Sequence, residues 1–147
     1  MISNVILKGA VITVGFIVLA WTQYRASDYN TQYGDAMSLE VARLREKLTF
    51  EYIHYRRNGS VLRVYLMNSG TIGNVTIQAV YVSNDTWLYS DHSISLSFLN
   101  GTSMSSFDKG SEGYFEIAPI NLAASSTYSV RVVTGRGSGF ETTYIAQ

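Results

Sequence analysis

Residues 1–21 read MISNVILKGAVITVGFIVLAW. This run carries one charge, Lys8, and no proline, and no other stretch of the chain looks like it. In an α-helix it spans about 30 Å, the thickness of a bilayer's hydrocarbon core. Everything after Trp21 is polar enough for water. The sequence therefore joins an apolar helix to a polar head, and the function has to use both.

A secretory signal would need a basic start, an apolar middle and a small-residue cleavage site. Here residues 1–7 are already apolar, Lys8 lies inside the run, and no A-x-A-like site follows Trp21. Two other readings fit. One is a membrane anchor whose Lys8 reaches toward the nearer interface. The other is a packing helix in a helical assembly, where Gly9, Ala10, Gly15 and Ala20 allow close approach of neighbours. The many β-branched residues, from Val5 to Val18, suit lipid or a dry bundle better than water.

Composition narrows the classes. The 147 residues leave room for one domain beside the helix. Eleven basic and eleven acidic residues cancel, so nucleic-acid binding has no electrostatic support. Charged residues make up 15% of the chain, a low share that points to packing against copies of itself or in a membrane. The absence of cysteine excludes disulfides and thiolate metal sites.

The helical pattern continues past Trp21. Residues 22–47 hold no proline and one glycine, Gly34. Tyr33, Met37, Val41, Leu44 and Leu48 recur at helical spacing on one face. The weak point is residues 25–35, RASDYNTQYGD, where Ser27, Asp28, Asn30 and Gly34 predict a kink or short break. The expected element has roughly 45 residues and a length of about 70 Å. A domain of this size cannot cover it, so its N-terminal half must be buried elsewhere.

From Thr49 the period becomes strand-like. Residues 50–55, 61–67, 75–82, 86–89, 93–99, 114–117, 127–133 and 140–145 read as strands. Asn58-Gly59 and Asn100-Gly101 supply turns. Short strands with frequent turns predict an immunoglobulin-like β-sandwich. The fold class is then α+β. A helix over 1–48, apolar in 1–21 and amphipathic in 22–48, precedes an all-β head over 49–147.

Three segments carry a family resemblance. ISNVI followed by the apolar run resembles the mature start of archaeal type IV pilins. Residues 64–70, VYLMNSG, with 75–82, VTIQAVYV, resemble paired head strands of archaeal pilins and archaellins. Residues 128–137, YSVRVVTGRG, are similar to the last hairpin of such heads. The resemblance implies a filament subunit whose helices form an axial core and whose heads form the outer wall. The family's basic leader does not precede Met1, which leaves a mature start at Met1, an unprocessed chain, or cleavage between Lys8-Gly9 and Ala10. A buried Lys8 would need a partner.

Four sequons follow the N-x-[ST] pattern, at Asn58, Asn74, Asn84 and Asn100. Turn chemistry alone also favours Asn at such places. Their number, with an extracellular archaeal setting, predicts N-linked glycans that hydrate the surface.

Catalysis has no motif behind it. His54 and His92 lack a metal-ligand spacing, and Asp85, Asp91 and Asp108 are scattered. Residues 135–139, GRGSG, lie between strands and read as a hairpin turn rather than a phosphate loop. The expectation is a non-enzyme without cofactor or metal. It is a structural subunit of an extracellular archaeal filament, membrane-inserted before assembly. Its partner is itself, through a core that includes Val5, Ile12, Phe16, Leu19 and Trp21, and its role is adhesion or surface attachment. Tyr24, Tyr29 and Tyr33 are expected at the rim where helix meets head. The alternative is a membrane-anchored, stator-like accessory of the archaellum whose sandwich binds the surface layer.

Overall fold

One uninterrupted helix, α1 (Ile2–Arg45), opens the chain in a computed structural model that describes residues 2–147. For residues 2–7 and 9 the description covers the backbone alone, so the expectations for the side chain of Val5 and for Gly9 lie outside it. The chain divides into two compact units, Met1–Glu40 and Val41–Gln147.

The break expected over residues 25–35 is absent. Within that stretch the side chain of Thr31 bonds back onto the helix, and two residues just outside it do the same. The Thr31 hydroxyl donates to the Ser27 carbonyl at 2.9 Å, as Thr22 does to Val18 and Ser38 to Asp35, each at 2.8 Å. Gly34 remains, and one interior glycine costs only about 1 kcal/mol. The helix stops at Arg45. Leu48, the last member of the expected helical stripe, begins the first strand and is buried, while Tyr33, Met37 and Leu44 stay exposed.

The second unit is a β-sandwich of antiparallel strands. These are β1 (Leu48–Arg56), β2 (Val61–Asn68), β3 (Ile77–Asn84), β4 (Trp87–Asp91), β5 (Leu96–Ser97), β6 (Ser103–Met104), β7 (Glu112–Ile117), β8 (Thr127–Thr134) and β9 (Gly139–Ile145). One sheet runs β1-β2-β7-β5-β6 and the other β4-β3-β8-β9. Alternation along β2 turns Leu62, Val64 and Leu66 inward. They join Val80 and Val82 of β3, Phe115 and Ile117 of β7, and Val130 and Val132 of β8 in a single core. Each side chain of this size taken out of water contributes about 1.5–3 kcal/mol.

Two tyrosines pin the segment between β7 and β8. The Tyr55 hydroxyl donates to the Ile120 carbonyl at 3.0 Å and accepts from the Leu122 amide at 3.2 Å. Tyr128 accepts from the Ala123 amide at 2.9 Å. Their phenols thus satisfy backbone groups of a segment that has no strand partner.

The strand expected over 93–99 is reduced to Leu96–Ser97. The Asp91 carboxylate takes the Ser93 amide at 2.8 Å and turns the chain before it. Behind it, the Phe98 amide donates to Thr102 and the Gly101 amide to Phe98, both at 2.8 Å, closing the Asn100-Gly101 turn. Gly101 has φ +84, the left-handed region a turn residue here must occupy. The two-residue strand β6 was not expected from the sequence.

Candidate assembly surface

The helix exposes what soluble proteins usually cover. Every described side chain from residue 10 to residue 40 is exposed. Among the expected core residues, Phe16 is 69% exposed and Trp21 61%, and Ile12 and Leu19 are equally bare. Val5 lies outside the described side chains. Val11, Ile12, Val14, Phe16, Ile17, Val18 and Leu19 follow one another closely enough to surround the helix rather than line one side. A helix apolar all round needs apolar partners on all sides. Among the described residues no helix is long and apolar enough to cross a membrane.

The polar boundary begins at Trp21, where the Arg25 guanidinium lies 5.6 Å from the ring centre. Tyr24, Tyr29 and Tyr33 follow, all exposed. Lys8 is exposed as well.

Within the second unit, the end of α1 is held by polar contacts. The Glu46 side chain has no exposed surface, and its Oε1 accepts from Arg136 Nη1 at 2.8 Å. Its Oε2 accepts from the Thr134 hydroxyl at 2.7 Å. Burial pushes the Glu46 carboxyl up, but the hydrogen-bonding groups of Ser138, Arg136 and Thr134 and the Arg136 charge outweigh it. The carboxyl sits below its ordinary value.

Carbonyls left open by the helix end find donors in the head, as they must when buried. The Thr71 amide donates to Arg45 at 3.1 Å, and the Ser69 and Gly70 amides donate to Lys47 at 2.9 and 3.1 Å. Arg43 Nη2 donates to the Gly137 carbonyl at 3.0 Å. Asn68, fully buried, fixes the loop that supplies these amides. Its Nδ2 donates to Ile72 and Phe107, and its Oδ1 accepts from the Gly70 amide. Gly70 is required here, because a Cβ would lie 2.5 Å from the Arg45 carbonyl oxygen and 2.7 Å from the Lys47 nitrogen.

The sequence reading missed this anchor. Arg45-Glu46-Lys47 looks like a solvated helix end, and Glu46 finds Arg136 only through the fold. The Gly135–Gly139 segment forms the β8–β9 turn, as expected, and it also carries the anchoring arginine.

Asn58 lies in a short 3-10 segment, Arg57–Gly59, that joins β1 to β2, Asn74 in the loop before β3, Asn84 at the end of β3 and Asn100 in the turn after β5. Asn58, Asn74 and Asn100 are exposed and Asn84 is half-buried. Asn74 has φ +54. Asn84 Oδ1 accepts from the amide and hydroxyl of Thr86, and Asn100 Oδ1 does the same with Thr102. In both, the amide nitrogen that a glycan would use has no protein partner among the described residues. His54 stacks beside Tyr52 and His92 meets Tyr81 edge-on, so the structure does not bring the histidines together.

No family model matches the chain, and no curated protein matches it either. Solved structures do. The archaeal flagellum of Methanospirillum hungatei strain JF1 aligns with a TM-score of 0.63 at 14% identity, over 96% of this chain and 93% of that one. The archaellum periplasmic stator protein FlaG from Sulfolobus acidocaldarius aligns at 0.53 and 19% identity, over 67% of this chain and 99% of that one. A chain from the FlaF and FlaG stator complex of the same organism aligns at 0.50 and 20% identity, over 66% and 87%. At these identities the likeness establishes the fold alone, over nearly the whole chain for the Methanospirillum flagellum and over about two thirds of it for the stator structures.

Proposed function

We propose that this chain is the structural subunit of an extracellular archaeal filament of the archaellum or type IV pilus kind. It is inserted in the membrane before assembly and polymerises through α1 for adhesion or surface attachment. Leaving lipid for a bundle of identical helices keeps Ile12, Phe16, Leu19 and Trp21 out of water throughout. Val5 belongs to the same apolar run. The residues of the head form the wall, and N-linked glycans at Asn58, Asn74, Asn84 and Asn100 hydrate it. The chain acts by assembly, with no catalytic step and no cofactor.

The observation that carries this reading is the all-round apolar helix with every described side chain from 10 to 40 exposed. Such a helix calls for several neighbours, which an axial bundle supplies. The fold likeness to the Methanospirillum flagellum supports it, because that likeness extends over helix and head alike.

The second reading is a membrane-anchored, stator-like archaellum accessory whose head binds the surface layer. Its support is the alignment of the head-sized part of this chain with nearly the whole of the FlaG structure. Shearing surface filaments from cells and identifying their main protein by mass spectrometry separates the two. The filament reading expects this chain to dominate the sheared fraction. Its retention as a single-span protein in the membrane fraction would replace that reading with the accessory one.

A further inference from the structure

The outer face of the β1-β2-β7 sheet carries an aromatic ladder that polymerisation through α1 does not use. Tyr52, Tyr65 and Tyr114 lie directly opposite one another across three strands. Their ring centres are 6.0 and 5.5 Å apart, and successive planes turn by 40° and 42°. Cross-strand packing explains part of this. Three further observations go beyond it.

First, Tyr52 is on this face because of a bulge. The β1 register shifts between Phe50 and Tyr52. Phe50 packs against the core, and without the shift Tyr52 would follow it inward. The bulge sends Ile53 inward instead and leaves Tyr52 61% exposed. Bulges that re-aim a side chain are features of working surfaces.

Second, planar polar groups with spare capacity border the rings. Arg63 Nε and Nη2 both donate to Glu116 Oε1, which leaves Oε2 without a donor among the described residues. The Arg63 guanidinium also lies 4.7 Å from the Tyr114 ring centre and donates to the Tyr65 hydroxyl at 3.2 Å. His54 stands beside Tyr52 with no hydrogen-bond partner among the described residues.

Third, none of the four sequon asparagines lies in β1, β2 or β7. Asn58 lies in the turn that joins β1 to β2, at the end of this face beyond the Arg56–Val61 pair, and not in the Tyr52–Tyr65–Tyr114 row.

We infer that this face binds a neutral glycan chain carried by another cell-surface molecule. A pyranose ring presents C–H groups on its flat side and hydroxyls around its rim. The flat side packs on a tyrosine ring, and the rim hydroxyls meet the free Glu116 oxygen and the His54 imidazole. Arg63 pairs with Glu116, and the other exposed charges on these strands, Glu51, Glu112 and Arg56, are of mixed sign, so the face has no run of like charge for a charged polymer.

The test passes the full-length chain, in detergent, over resins bearing mannan, cellulose and chitin. The expected result is retention on at least one resin, weakened about tenfold or more by Tyr52→Ala and also by Glu116→Gln. Tyr52→Phe keeps the ring, and Tyr81→Ala lies on the other sheet, so both bind as the unaltered chain does. Tyr52 is exposed, so its replacement leaves the fold intact. Retention on none of the three resins overturns the proposal, and so does undiminished retention of Tyr52→Ala. Association between copies that Tyr52→Ala abolishes, without glycan retention, assigns the face to head–head contact and overturns it too.

Discussion

Arg136 Nη1 lies 2.8 Å from Glu46 Oε1, a carboxylate with no exposed surface, and joins positions 90 residues apart. The contact ties the chain just after α1 to the β8–β9 turn. This ion pair sits where the chain passes from the end of the helix into the first strand.

Removing the arginine leaves a buried carboxylate with only hydroxyl partners. Arg136→Ala should destabilise the head by about 2–3 kcal/mol, somewhat less than a fully buried pair, because Arg136 keeps partial solvent access. Glu46→Gln, which removes the charge but keeps most of the shape, should cost less. Urea unfolding followed by circular dichroism gives both values. Equal stability of Arg136→Ala and the unaltered chain would show that the pair contributes nothing.

The same carboxyl predicts a pH dependence. In the unfolded chain Glu46 titrates near its ordinary value of about 4.3. In the folded head it titrates lower. The unfolded state therefore binds the proton first as pH falls. The contribution to stability is complete above the ordinary value and is lost as pH drops through the folded one. Melting temperatures should be flat with respect to this group above about pH 6 and fall in acid. Glu46→Gln should show a shallower acid limb than the unaltered chain.

Gly70 has backbone, not side chain, where a Cβ would go. Gly70→Ala should therefore push the loop off the Arg45 and Lys47 carbonyls and cost about 1–3 kcal/mol. Gly135→Ala makes the instructive comparison. Its Cβ would meet the Thr76 hydroxyl, the end of a side chain that can rotate away, so its cost should be smaller. Parallel melting curves of the two variants decide the order.

Glycan occupancy is predicted site by site. Mass spectrometry of peptides from native material should find modification at Asn58, Asn74, Asn84 and Asn100. It should find none at Asn68, which is buried and outside any sequon. Each Asn→Gln change at a sequon should remove one glycan and leave the other three. Unmodified peptides at all four sites would leave turn chemistry as the whole explanation.

Much of the head was legible in the sequence because its strands advertise themselves locally. Alternation in β2 and the turns at Asn58-Gly59 and Asn100-Gly101 need no distant partner to be read. The long helix was legible too, from an apolar run without proline. The rest depends on contacts that span the chain. Residues 25–35 looked breakable by propensity, yet the helix runs through them without interruption. The expected strand over 93–99 is trimmed by the Asp91 and Phe98 turns. Glu46 acquires its meaning only from Arg136, and the bulge that exposes Tyr52 is invisible to alternation, since it breaks alternation. The apolar helix, the basis of the assembly reading, is the feature the sequence displays most openly.

The most direct test uses the absence of cysteine. Phe16→Cys gives the chain a single thiol in the apolar helix, and Tyr52→Cys gives one on the head. Polymers sheared from cells carrying each variant are exposed to a maleimide dye, beside detergent-dispersed subunits. Axial burial of α1 predicts that the thiol at position 16 stays unlabelled in the polymer and reacts once the subunits are dispersed, while the thiol at position 52 reacts in both. Equal labelling at position 16 in polymer and dispersed subunit would contradict a helical core, and with it the account of this chain as a filament subunit.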